Sequence, residues 1–322
     1  MAKPNTYALL ADIGGTNTRV ALADGTTILS NTEKKFRNAD YPGLETVLSE
    51  FLAGAGNPDC SGACVAAAGP VRDGVGQMTN LDWTIDGETI ARAARAEKVA
   101  VLNDLQAQGY ALGHLPDSSL TRVVDGAAAP AGATMLVIGI GTGFNCAPVY
   151  ATPGGRFVPP AEAGHVNLPI RTELEFELGH ALQDVHGFPS VEEVLSGRGL
   201  KHLDSFFARR AGQPRELTTE AILAAAEAGD DPVAEDTLRA FVRLFGTVTG
   251  NLALIHLPFG GIFLIGGMAR AVSPWFDRLG YGEAIRDKGR FAGFMRNFPV
   301  TVIDDDYAAL TGCAHYLADL GG

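Results

Sequence analysis

The sequence predicts an α/β protein of two lobes, and three observations carry that expectation. Its 322 residues exceed the usual size of a single hydrophobic core. Two strand pairs turned on glycine, "LLADIGGTNTRVALADG" from Leu9 and "TMLVIGIGTGFNCAPVY" from Thr134, stand about 125 residues apart and read as one arrangement used twice. Apolar runs of strand length and longer stretches of helical period are interspersed around them.

In the first pair an apolar run ends at Asp12, turns through Gly14-Gly15, and resumes as Arg19, Val20, Ala21 and Leu22. A dinucleotide fold or a P-loop would pass from its glycines into a helix. Continuation as a strand makes this a β-hairpin. "CSGACVAAAGPV" and "KVAVLNDLQAQGYAL" read as buried strands, the second entering a helix at Leu105, and "GETIARAARAE" is a helix with Asp86 as candidate N-cap. "DGAAAPAGA" at 125–133 is a surface connection between these elements and the second hairpin. The longest helix opens at "DDPVAEDTLRAF": Asp231 caps it, Pro232 suits its first position, and Pro258 ends it. Phe241, Phe245, Val248, Leu252 and Ile255 recur at helical spacing and are expected in a core. "GGIFLIGGMA" then gives a buried strand running into a glycine turn.

Composition narrows the function. A net charge of −12 argues against nucleic-acid partners, whose phosphates attract clustered Lys and Arg. No apolar run approaches the roughly 18 residues of a membrane span, so no membrane role is expected. The N-terminus enters a strand without the zones of a signal peptide, which points to the cytoplasm. Cys60, Cys64, Cys146 and Cys313 form no C-x-x-C pair and are expected to be reduced and buried. Seven histidines without H-E-x-x-H spacing predict no catalytic zinc site.

Taken in order, "DIGGTNTR", "LNDLQA", "GIGTG", "EAGHVNLP", "EEVLSGRGL", "GNLAL", "GGIFLIGGMA" and "KGRF" resemble the bacterial glucokinase family, within the superfamily of sugar kinases, actin and heat-shock chaperone ATPases. The resemblance covers nearly the whole chain. The zinc-binding Cys cluster of the repressor–kinase branch is absent, so the zinc-free branch is the match. It implies a two-lobed actin-like ATPase (ribonuclease H-like) fold with a central cleft. Residues 1–106 plus 307–322 would form the small lobe and 107–306 the large one, with the final helix packing back on the first lobe. It further implies transfer of phosphate from ATP, with Mg²⁺, to the 6-hydroxyl of glucose by a homodimer.

Site residues follow from the same resemblance. Gly14, Gly15, Thr16 and Asn17 of the first turn, and Gly141, Thr142 and Gly143 of the second, would offer backbone N–H groups to nucleotide phosphates, with Thr16, Asn17 and Thr18 either bonding phosphate or simply stabilising the turn. Glycine there would permit close approach and unusual dihedrals. Asp12 would act on the metal, although an Asp beside a turn can also just satisfy turn amides. Gly266 and Gly267 would face adenine or ribose, or alternatively pack a strand against a helix. Asp104 would be the base that accepts the proton of the sugar 6-hydroxyl, a helix N-cap being the alternative. Asn80, Asn103, Glu162, His165 and Glu192 would bind sugar hydroxyls. A kinase of another hexose stays open. A sugar-sensing repressor would need a DNA-binding helix pair ahead of the first hairpin, and a filament ATPase would not need this sugar set.

Three positions depart from the family pattern: Asn145 in "GTGFN", Arg198 in "SGRGL", and the lack of proline–glycine in "DDDYAALTG". Asn145 stands where glycine is expected, and Asn is the non-glycine residue that most readily takes positive φ. The expectation is that it reproduces a glycine conformation.

Overall fold

The computed structural model describes residues 7–78 and 81–320, which divide into two compact units. The first comprises Met1–Asp117, Ala151–Pro160 and Asp305–Gly322, and the second Ser118–Tyr150 and Ala161–Asp304.

In the first unit the strand Tyr7–Ile13 lies between its hairpin partner Asn17–Asp24 and the strand Cys60–Ala67, which in turn pairs with Lys98–Asn103. The hairpin is antiparallel and the other two pairings are parallel. Parallel strands covered on both faces read as continuous apolar runs, and Leu9, Leu10, Ala11 and Ile13 are all fully buried. The helices Leu44–Gly54 and Gly87–Ala94 add Val47, Leu48, Phe51 and Ile90 to this core. Asp86 caps the second of them by accepting the Thr89 amide at 2.8 Å.

The C-terminal helix Ala308–Asp319 packs on the helix Asp104–Ala111. Gly312 lies so close to the Ala107 carbonyl that a Cβ would collide with it. That contact seats the helix whose first residue is Asp104. Residues 107–117 and 151–160 pack with this first unit, outside the large lobe in which they were expected. The helix from Asp104 runs through 106 without a break. Arg156 also ties the second segment down, donating to the carbonyls of Tyr110, at 3.0 Å, and Leu112.

The second unit repeats the strand scheme. Met135–Ile140 is antiparallel to its hairpin partner Phe144–Thr152 and parallel to Ile262–Ile265, which is parallel to Val300–Ile303. The strand Leu120–Val124 adds an antiparallel edge. The helix Pro232–His256 forms the heart of this unit's core. Asp231 accepts the amides of Val233 and Ala234, both at 3.0 Å, and Pro232 at the first position has no N–H to leave unpaired. Phe241, Phe245, Val248 and Leu252 are buried as expected, but Ile255 is 68% exposed because the final turn is no longer covered. By length and composition this helix could cross a membrane. Its apolar face is instead enclosed by protein, with Phe241, Val242 and Phe245 fully buried. The four cysteines are free and buried.

Candidate active site

The first glycine turn is built around a residue far from it in sequence. Gly14 N–H donates to the Asn17 carbonyl at 3.0 Å, closing the hairpin. Asn38 then fastens the turn from outside: its backbone N–H donates to Thr16 O at 2.9 Å and its Nδ2 donates to Gly14 O at 2.8 Å. Its Oδ1 accepts the Thr18 hydroxyl at 2.8 Å, and both side chains are buried. Thr18 therefore holds the turn, while Gly15 and Thr16 stand exposed at its tip and Asn17 is half-buried.

Asp12 pairs across the hairpin with Arg19. Residues opposite each other share a face of the sheet, so Arg19 Nη1 comes within 3.7 Å of Asp12 Oδ2 while its Nη2 lies 3.5 Å from Asp306 Oδ2. Burial pushes the Asp12 carboxyl up to about 6; Arg19 opposes the rise and Asp306 adds to it. A largely buried carboxylate with a guanidinium 3.7 Å away is a hard oxygen donor that a divalent ion would stabilise.

Asp104 follows the strand Lys98–Asn103 directly and begins the next helix. Asn103, not Asp104, is the N-cap. Its Oδ1 accepts the Leu105 amide at 3.0 Å and Gln106 Oε1 accepts the Asn103 amide at 3.1 Å, a complete capping box. Asn103 Nδ2 donates to Gly69 O at 3.0 Å. Asp104 is half-buried, with Oδ1 also accepting the Leu105 amide at 2.8 Å. The first turn of a helix favours negative charge.

In the second unit, Gly141, Thr142 and Gly143 turn the chain between the two hairpin strands, with Gly141 N–H donating to Gly143 O at 2.9 Å. None of Gly14, Gly141 and Gly143 has a positive φ, so the expected unusual dihedrals are not what glycine supplies. Close approach is. A Cβ on Gly143 would fall 2.6 Å from Glu192 Oε2, the oxygen that accepts the Phe144 amide at 2.9 Å. Gly197, the first residue of the helix Gly197–Arg210, donates its N–H to Gly141 O at 2.8 Å. Gly266 carries φ of 104° and abuts the Ile140 carbonyl, which leaves no room for a side chain. Strand-to-helix packing thus explains Gly266, whereas Gly267 faces open space.

Glu162 and His165 are exposed and lie 4.0 Å apart. Glu192 is more enclosed. Its backbone N–H donates to Gly164 O at 2.9 Å, and Arg198 lies 3.4 Å from its Oε1 and 2.9 Å from Glu193 Oε1. The departure at Arg198 therefore places a cation beside the carboxylate expected to bind sugar. Asn80 lies outside the described residues.

Asn145 corrects an expectation. It sits within the strand Phe144–Thr152, opposite Gly139, and is not among the positive-φ residues. Its amide reaches sideways: Nδ2 donates to Ala161 O at 2.5 Å, and Oδ1 accepts the amides of Cys146 at 2.8 Å and Ala163 at 3.0 Å. Asn145 thereby pins both flanks of Glu162. Asn38 and Asn145 are the supporting residues that sequence reasoning missed or misread, because their partners are distant in the chain, whereas Arg198, noted as a departure, pairs with carboxylates only five and six residues away.

The family model described as Glucokinase matches residues 9–320. The glucokinase of Chromohalobacter salexigens is 33% identical over 312 residues, covering 96% of this chain and 97% of that protein. The glucokinase of Saccharophagus degradans is 32% identical over 317 residues, covering 97% and 98%. The crystal structure of a glucokinase from an Antarctic psychrotroph is 29% identical with a TM-score of 0.86, covering 97% of this chain and 98% of its own. A ROK family glucokinase from Streptomyces griseus, solved with glucose and AMPPNP, shares the fold at 22% identity and a TM-score of 0.64, covering 98% and 100%. The two-lobed actin-like α/β fold implied by the motifs is the fold of these relatives, and with matches spanning nearly its full length the chain belongs to the glucokinase family.

Proposed function

We propose that this protein is an ATP-dependent glucokinase in which Asp104 accepts the proton of the glucose 6-hydroxyl as the γ-phosphoryl group is transferred. The observation that supports the assignment of the base is the arrangement at 103–104: Asn103 forms a complete capping box, so the helix start does not rest on Asp104, although its Oδ1 shares the Leu105 amide. A carboxylate suits the reaction because the hydroxyl becomes acidic only as its oxygen bonds phosphorus, and such help contributes about 10²–10⁴-fold.

Glu162, His165 and Glu192, with Asn80 and Asn103, are assigned to the sugar. Carboxylates and an imidazole can accept several O–H bonds, and a site rich in acceptors favours a ligand that carries hydroxyls, which supports a polyol substrate. The two glycine turns and Gly267 are assigned to ATP. The oxygen donor and partial charge compensation at Asp12 fit Mg²⁺, which when bound would neutralise phosphate charge. A cytoplasmic homodimer belongs to the same proposal. A panel of hexoses supplied with Mg²⁺-ATP and read by ADP release tests it, with glucose expected to give the highest kcat/KM. Preference for fructose or mannose would move the assignment to another hexose kinase.

A further inference from the structure

Three side chains of the second unit, none assigned to sugar or nucleotide, meet around one point. His186 ends the helix Glu173–His186, His202 lies on the helix Gly197–Arg210, and Glu193 stands in the segment between them. A ring nitrogen of each histidine and a carboxylate oxygen of Glu193 all lie within 4.8 Å of one another. Glu193 Oε2 is 3.2 Å from His202 Nδ1 and 3.7 Å from His186 Nδ1.

Glu193 Oε2 is buried and accepts no hydrogen bond. His202 Nδ1, though near, bonds the Glu193 carbonyl oxygen at 2.9 Å. The other carboxylate oxygen, Oε1, accepts from Arg198 at 2.9 Å. Arg198 thus orients the carboxylate and leaves its second oxygen turned toward two imidazoles. A buried acceptor without a donor is costly, about 1–3 kcal/mol. Two imidazoles and a carboxylate form a donor set of zinc sites that keep one open position, with metal–ligand distances of about 2.0–2.2 Å. Tetrahedral ligands at that radius stand about 3.3–3.6 Å apart. The observed separations of 3.2 and 3.7 Å bracket this range.

We propose that His186, Glu193 and His202 bind a divalent transition-metal ion of zinc type, with water in the fourth position. Imidazole donors favour such ions over Mg²⁺ and Ca²⁺, so the site is chemically distinct from the oxygen donor at Asp12. The ion would join the C-terminal end of one helix to the face of another. The ligating atom of His202 is Nδ1, which lies 3.2 Å from Glu193 Oε2, so ligation replaces the proton it shares with the Glu193 carbonyl oxygen. Six and eight residues separate the three ligands, which matches no linear metal motif.

The test is titration of untagged, metal-free protein with Co²⁺, read by visible absorption. One equivalent should produce the intense bands of a four-coordinate site, and Zn²⁺, but not Mg²⁺, should abolish them. His186→Ala and His202→Gln should each weaken binding by more than about a hundredfold, since even outer-shell partners are worth about 10–100-fold. Zn²⁺ should raise the Tm of the wild type and leave that of a folded His186→Ala protein unchanged. Only the weak spectrum of hexaaqua Co²⁺, or wild-type binding by both variants, overturns the proposal.

Discussion

Glu192 Oε2 accepts the backbone amide of Phe144 at 2.9 Å, tying a carboxylate of the expected sugar set to the residue that follows the second glycine turn. Glu192 also donates its own amide to Gly164 O at 2.9 Å. One residue therefore supports both the GIGTG turn and the EAGH segment.

Glu192→Gln should separate these duties. The amide oxygen can still accept from Phe144, so the turn keeps its support, while the charge and one acceptor are lost. KM for glucose should rise roughly tenfold, about one charge-assisted hydrogen bond, with KM for ATP nearly unchanged. Gly143→Ala should instead raise both KM values, because its Cβ would lie 2.6 Å from Glu192 Oε2 and displace the carboxylate that serves the turn and the sugar together. Steady-state kinetics with each substrate varied will show whether the two effects divide in this way; a change confined to KM for ATP in Glu192→Gln would remove Glu192 from the sugar set.

Adjacent residues at 103 and 104 should likewise part company. Asp104→Ala is expected to lower kcat at least about a hundredfold, with little change in Tm. Asn103→Ala removes the cap and should cost about 1 kcal/mol of stability. Near-normal turnover in a folded Asp104→Ala protein would sink the assignment of the base.

What could be read from the sequence was what local chemistry decides. Both hairpins, the caps at Asp86 and Asp231, and the proline start of the long helix rest on neighbours within a few residues, and each forms as expected. Strand-end placement of Asp104 was legible for the same reason. Asn38 was not, since it meets Gly14 from 24 positions away. Asn145 was misread because a turn was inferred where the strand had already resumed, and only the folded chain brings Ala161 and Ala163 beside it. Gly143 was found, but its reason differed, since a carboxylate oxygen of Glu192 fills the place of a Cβ; Gly312, against the Ala107 carbonyl, gave no local signal.

Asp12 gives stability a pH signature. Its folded pKa, about 6, exceeds the ordinary value of 3.8. The folded state therefore binds more protons across that window, and stability falls as pH rises through it. Asp12→Asn lacks the titrating group. In the absence of nucleotide and metal it should match the wild type near pH 4 and exceed it above pH 6 by roughly 2–3 kcal/mol. Denaturant midpoints measured across the range provide the comparison, and a difference that is flat with pH would show that Asp12 is not desolvated. The same variant should use Mg²⁺-ATP poorly while its affinity for glucose holds.

Asn145 offers the most direct separation of backbone conformation from side-chain bonding. Were a glycine-like backbone required at 145, Asn145→Gly would be harmless and Asn145→Val damaging. The extended backbone opposite Gly139 reverses that ranking. A β-branched residue suits a strand, whereas glycine adds backbone freedom of about 0.5–1 kcal/mol to the cost of folding. Both variants lose the bonds to Ala161 O and to the amides of Cys146 and Ala163. Groups left unpaired in this way cost about 1–3 kcal/mol each where water cannot replace the partner. Since Ala161 and Ala163 flank Glu162, the loosened segment should raise KM for glucose roughly five- to tenfold in both variants, an equivalent of about one hydrogen bond. Valine should be no worse than glycine in Tm. Kinetics for glucose and thermal melts of the two proteins decide the matter: a wild-type KM in Asn145→Gly would show that the three bonds do not position Glu162.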